Sequence, residues 1–224
     1  MIKIDRRNTL KAEAAKQALQ NAQKTDSGYN IEIVNQALEE LFYGKCYICE
    51  NKEVTSYQIE HLIPYKGDLE LKYEWNNLFW SCGHCNNTKL GAFDPIIDCT
   101  VENVDELIAF RKVGYFGTDE RLEFTALDND KKIENTVNLL EAVYYGTTPQ
   151  KRIEAKIIRR KLRKELSVFK EYVREYQEAE GEEKEDLLYQ IKKELKASSS
   201  FTAFKRWLIK DNKEHYPELV ELIP

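Results

Sequence analysis

Apolar positions recur at helical spacing through most of the chain, with one interruption. An alanine-rich run from Thr9 to Lys24 holds good helix formers, and "GYNIEIVNQALEELFYG" carries Ile31, Val34, Leu38 and Leu41 on one face, so two helices are predicted before residue 44. From Gly44 to Pro95 the pattern breaks into short β-favouring pieces with aromatic and turn residues, the look of a loop-rich module. Beyond it the pattern predicts a short helix around Val104 to Lys112, one strand in "RLEFTAL", a helix from Asp130 to Tyr145 and a long helix beginning near Pro149. A stripe of Ile153, Ile157, Leu162, Leu166, Phe169, Val173 and Tyr176 runs along that helix until Gly181 breaks it. Leu187, Leu188, Ile191 and Leu195 mark another helix, and Ser198 to Ser200 offer an N-cap for "FTAFKRWLIKD". The expected fold is mainly α, with three divisions: a helical lead-in over 1–43, a small module over 44–98 and a helical region over 99–224.

With 224 residues, the chain is long enough to bury a core without disulfides. Its charged first residues and the absence of a long apolar run predict a cytoplasmic protein with no membrane partner. A net charge of −5 argues against coating nucleic acid with the whole surface, yet "KRIEAKIIRRKLRK" (151–164) is basic and "EYQEAEGEEKED" (175–186) acidic. The basic stretch reads either as a phosphate or partner contact or as a solvated helix face.

Chemistry concentrates in the module. "CYIC" (Cys46, Cys49) and "CGHC" (Cys82, Cys85) are two C-x-x-C pairs, and four thiolates complete the tetrahedral shell of a structural zinc. A redox disulfide lacks the βαβ context it needs. With four sulfurs available, His84 is expected to point outward from the tight knuckle as a surface residue; a set using His84 would leave one cysteine idle. Cys99 reads as a small buried hydrophobe. "SYQIEHLIPYKG" sets Glu60 and His61 in a strand ending near Pro64, where neighbours point to opposite faces. Alone, that pair reads as an interfacial histidine beside a solvated glutamate.

The chain continues "YEWNNLFWSCGHCNNTKLG". The order Glu60-His61, Asn77-Leu78, Cys82-x-x-Cys85-Asn86-x-x-Lys89 resembles the HNH endonucleases with a ββα-metal core, in the double C-x-x-C subgroup and as an HNN variant. The resemblance implies that His61 is the general base, Asn77 holds its imidazole (with Asn76 the competitor), Glu60 and Asn86 bind the catalytic cation, and Lys89 either contacts a phosphate or sits on the surface of a helix starting there. Leu90 stands where many family members carry another metal-binding histidine. Two oxygen donors then favour Mg²⁺ or Mn²⁺. The substrate implied is nucleic acid, DNA ahead of RNA.

More loosely, "MIKIDR", "GKCYICE" and "FDPIIDCT" are similar to the HNH subunits of Septu-type and retron-associated anti-phage systems, which implies an ATPase partner. The alternatives are a stand-alone restriction or homing enzyme, and a zinc module that binds nucleic acid or protein without cleaving it.

Overall fold

Thr9 accepts a hydrogen bond from the Ala12 amide and so caps the first helix, α1 (Leu10–Thr25), whose Ala12, Ala15, Leu19 and Ala22 form the buried face. That face packs on α2 (Glu32–Leu41) through Val34, Ala37, Leu38 and Leu41. The computed structural model describes residues 1–52, 54–114 and 120–224.

After the "CYIC" turn come β1 (Tyr57–His61), α3 (Leu69–Tyr73), a 3₁₀ turn over Trp75–Asn77, β2 (Leu78–Cys82) and α4 (Gly83–Lys89). β1 and β2 pair antiparallel from Tyr57 opposite Cys82 to His61 opposite Leu78. With α4 following directly, this is a ββα unit. All five β2 residues are buried, as expected of a strand covered by α2 and α4. Arg6 binds the 3₁₀ turn to β2 from outside: it donates to the carbonyls of Trp75, Asn76 and Leu78 at 2.9 to 3.1 Å and lies over the Phe79 ring.

The remainder is α5 (Val104–Leu107), β3 (Ile108–Val113), β4 (Arg121–Ala126), α6 (Lys131–Tyr145), α7 (Pro149–Glu178), α8 (Gly181–Glu194), α9 (Thr202–Asp211) and α10 (Pro217–Val220). The architecture is mainly α, with two two-stranded sheets among the described residues. One apolar cluster takes in Met1, Ile2 and Ile4, the ββα unit and the C-terminal helices as far as Trp207, while a smaller cluster gathers Phe169, Val173, Ile191, Ile209 and Leu219.

Three expectations need correction. The helix expected to reach Lys112 ends at Leu107, and the next residues form β3 instead. Pairing sets Phe110 opposite Phe124, with ring centroids 5.5 Å apart, and edge-on to Phe204, so burial among aromatic rings outweighs a helical pattern this short. On α7, Ile153 and Ile157 are 66% and 44% exposed. The buried stripe is Ala155, Ile158, Leu162, Leu166, Phe169, Val173 and Tyr176, which keeps one face at 3.6 residues per turn. Finally, no serine caps α9. Its first turn follows Phe201 in the left-handed region (φ 52°), and Ser199 Oγ instead binds Glu194 and the buried Lys205.

The corrected stripe predicts that Ile158→Ala costs about 2–4 kcal/mol in chemical denaturation, the range for emptying an aliphatic core position. Ile153→Ala should stay within about 0.5 kcal/mol of wild type. Equal losses at the two positions would place the α7 face wrongly.

Candidate active site and metal centre

The "CYIC" turn is held to β2 by a main-chain bond from Tyr47 N–H to the Trp80 carbonyl at 3.0 Å. This brings the cysteine pairs together. The four sulfurs of Cys46, Cys49, Cys82 and Cys85 are buried and lie within 4.8 Å of one another. All four are free thiols, with Cys49 Sγ 3.9 Å from Cys82 Sγ. A tetrahedron with Zn–S bonds of about 2.3 Å has edges of about 3.8 Å, close to the 3.9 Å between Cys49 and Cys82 Sγ, so the group suits zinc. Cys82 Sγ also caps α4 by accepting from the Cys85 amide. Between them lies Gly83, where a Cβ would come within 2.8 Å of Ser56 Oγ, so a larger residue would turn that exposed serine side chain aside.

His84 is not a loose surface residue, which corrects the expectation. Its side chain is 8% exposed, with Nδ1 2.6 Å from Glu154 Oε2 and Nε2 2.8 Å from the Val143 carbonyl. Both ring nitrogens are therefore occupied by α6 and α7. Tyr144 adds a third tie by donating to the Cys49 carbonyl at 2.9 Å. The cysteine module is thus bolted to the helical region through its own knuckle.

Glu60 and His61, adjacent on β1, meet different partners, as alternating strand residues must. Glu60 is 5% exposed; Oε1 lies 2.8 Å from Lys89 Nζ, and Oε2 accepts a short hydrogen bond from the Tyr47 hydroxyl. Burial raises its carboxyl to about 7, with the Lys89 ammonium opposing the rise. Burial and the same carboxylate push the Tyr47 phenol well above its usual range, so Tyr47 acts as a donor. His61 Nε2 is 2.9 Å from the Lys72 carbonyl. A carbonyl can only accept, so Nε2 carries the proton and Nδ1 keeps the lone pair. The ring sits between Tyr29 and Tyr65, at centroid distances of 4.6 and 4.7 Å, and burial lowers its pKa, favouring the neutral form.

Two expected roles change. Asn77 is buried, unlike the exposed Asn76, but the structure does not place it on His61. Its Oδ1 accepts from Ile63 N–H at 2.8 Å, and its Nδ2 donates to the carbonyls of Ile63 and Leu71 at 2.9 and 3.1 Å. Asn77 therefore clamps the chain after β1 to the end of α3, and the neighbouring Lys72 carbonyl holds the imidazole. Lys89 lies at the end of α4, not the start of a helix, and is 1% exposed. Its ammonium is surrounded by Glu60 Oε1, the carbonyls of His61 and Leu62 at 3.1 and 2.9 Å, and Asp94 Oδ1 at 3.2 Å. Enclosed by four oxygens, it has no donor to offer a phosphate; it is an interior cation that fixes β1. Asp94 completes the group through charge proximity alone, since neither of its oxygens forms a hydrogen bond.

Glu60, His61 and Asn86 line one open cleft, with Tyr29, Tyr65 and Leu90 around it. Asn86 Nδ2 donates to Gln58 Oε1 at 2.7 Å, which leaves Oδ1 as the atom available to a cation. Leu90, left-handed (φ 37°) and 75% exposed, forms rim rather than core. A carboxylate and an amide oxygen at one cleft suit a hard divalent ion that retains waters. Tyr29, Tyr47, Tyr65, Lys72 and Asp94 escaped the motif because they act through ring contact, a hydroxyl, a main-chain carbonyl or proximity, none of which has a spacing rule. A separate cavity between β3, α7 and α9 shares no lining residue with the cleft.

Residues 46–90 match the family model described as HNH endonuclease. Over 83 residues the chain is 37% identical to a Septu protein PtuB of Bacillus mycoides, covering 30% of this chain and 28% of the relative. Over 112 residues it is 33% identical to a Septu protein PtuB of Bacillus thuringiensis, covering 46% and 43%. The matched stretch thus spans less than half the length of these curated relatives. Among the described residues, no helix is long and apolar enough to cross a membrane.

Cys46→Ala should lose the metal and melt at a lower temperature, because the ion joins segments that are distant in sequence. His84→Ala should retain one zinc per chain in metal analysis yet lose about 1–3 kcal/mol, the cost of leaving the carbonyl of the buried Val143 unpaired. Loss of zinc from the His84 variant would mean that the histidine, not a cysteine, is the fourth ligand.

Proposed function

We propose that the protein is a metal-dependent endonuclease that hydrolyses phosphodiester bonds in nucleic acid, DNA ahead of RNA. The observation that carries this reading is the meeting of Glu60, His61 and Asn86 in one open cleft on a ββα unit gathered around four sulfurs. A zinc module that only binds has no use for a neutral histidine held in one tautomer beside a carboxylate.

Each chain residue has a distinct task. With Nε2 committed to Lys72, His61 uses Nδ1 to take a proton from the water that attacks phosphorus. Tyr29 and Tyr65 fix the plane of the ring. Glu60 and Asn86 would hold Mg²⁺ or Mn²⁺, which supplies Lewis-acid stabilisation of charge on the phosphate and the departing oxygen. Lys89 and Asn77 position these groups from behind. The likeness to Septu proteins PtuB supports a place in anti-phage defence, and an ATPase subunit is the partner expected to control the nuclease.

The test incubates wild type and His61→Ala with plasmid, single-stranded DNA and tRNA in Mg²⁺ or Mn²⁺, with and without chelator, alone and with the product of a neighbouring ATPase gene. Removing a general base should slow cleavage by about 10²–10⁴-fold, and wild-type rates in the variant would refute the assignment. Cation uptake should also depend on pH, because a proton on Glu60 blocks it and its carboxyl titrates at about 7. Mn²⁺ should bind about tenfold more weakly at pH 6 than at pH 8, as read by calorimetry. Equal affinity at the two pH values would remove Glu60 from the ligand set.

A further inference from the structure

The first half of α7 carries eight cations and one acid between Lys151 and Lys164, and the structure divides those cations into two groups. Lys151 donates to the Asn87 carbonyl, Arg159 to the Tyr144 carbonyl, and Arg163 pairs with Glu120. Lys161 also has a partner. The remaining four, Arg152, Lys156, Arg160 and Lys164, are all exposed and, among the described residues, form no ion pair or side-chain hydrogen bond. They recur every fourth residue. On an α-helix that places them about 6 Å apart along the axis, in a gently winding row about 18 Å long.

We propose that this row grips the phosphate backbone of the nucleic acid and leads it to the cleft. The inference rests on the nuclease reading above and supplies its substrate-binding track. Two features carry it beyond a solvated helix face.

The first is charge. The acids that could neutralise the row are engaged elsewhere, Glu154 with His84 and Glu165 with the buried Lys205. An unpaired basic row on a protein of net charge −5 is a local feature that a polyanion complements. The second is location. The row starts beside Lys151, whose Nζ is 2.9 Å from the carbonyl of Asn87, and Asn87 is the neighbour of the cleft residue Asn86. The His84–Glu154 contact fixes the same corner, so the angle between the row and α4 is set by side chains rather than left to a loop. Ile153 and Ile157 are exposed beside the row and are the feature a protein partner would use; the test separates the two.

The experiment measures binding of labelled duplex DNA, single-stranded DNA and RNA to the full chain by fluorescence anisotropy between 50 and 200 mM salt. His61→Ala is the background, so that the probe stays intact. Adding Arg152→Gln, Lys156→Gln, Arg160→Gln and Lys164→Gln together should weaken binding by at least about tenfold and flatten the slope of log affinity against log salt by about three to four. Ile153→Ser with Ile157→Ser should leave both quantities as they were. Because all six side chains are exposed, unchanged thermal unfolding serves as the folding check. Unchanged affinity and slope in the fourfold variant would overturn the proposal, as would a parent protein that binds none of the probes. So would an effect confined to the isoleucine pair, which would assign the face to a protein. Plasmid cleavage by the wild type reads the nuclease assignment independently. Cleavage with a silent row refutes the row alone, whereas row-dependent binding without cleavage refutes the nuclease and leaves the row standing.

Discussion

Four sulfurs from two segments about thirty residues apart occupy one buried cage, and the rest of the site takes its position from that constraint. The cage fixes the "CYIC" turn against β2 and starts α4 at Cys82, so Tyr47 comes to lie on Glu60 and Asn86 comes to face the cleft. A tetrahedral ion held by the four thiolates would fix the two segments in direction as well as distance.

Behind the cleft, the structure uses charge where other folds use apolar packing. The Lys89 ammonium is enclosed by two carboxylates and two main-chain carbonyls, an arrangement tolerated in the interior because each lost water contact is replaced. Its bonds to the carbonyls of His61 and Leu62 fix the end of β1, and Asn77 fixes the next residue from the other side. His61 is consequently held by backbone on one face and by two tyrosine rings on others. The geometry of this imidazole depends on a shell of buried and main-chain partners around it.

The C-terminal helices are part of the site rather than an appendage. His84, in the middle of the cysteine knuckle, reaches both α6 and α7, and Tyr144 binds the first cysteine turn. Through those ties the long helix has a fixed bearing on the cleft, which gives its exposed basic row a direction as well as a charge.

The sequence by itself determined the element types wherever a long periodic pattern existed: both N-terminal helices, α6, α7 and the strand at "RLEFTAL" all form. It also determined the four-cysteine group, because ligand spacing reflects local geometry that survives without knowledge of the fold. Only the tertiary structure decided which α7 isoleucines face inward, that "IAFRKV" extends to meet Phe124, that His84 is an anchor and that Lys89 is an interior cation. It also decided that Asn77 clamps loops while the Lys72 carbonyl holds the imidazole. The physical reason is common to these cases. A short-range pattern records which residue types sit near one another along the chain, whereas the partner of a buried polar group is set by whatever distant segment arrives to satisfy it, often through a main-chain atom that every residue possesses.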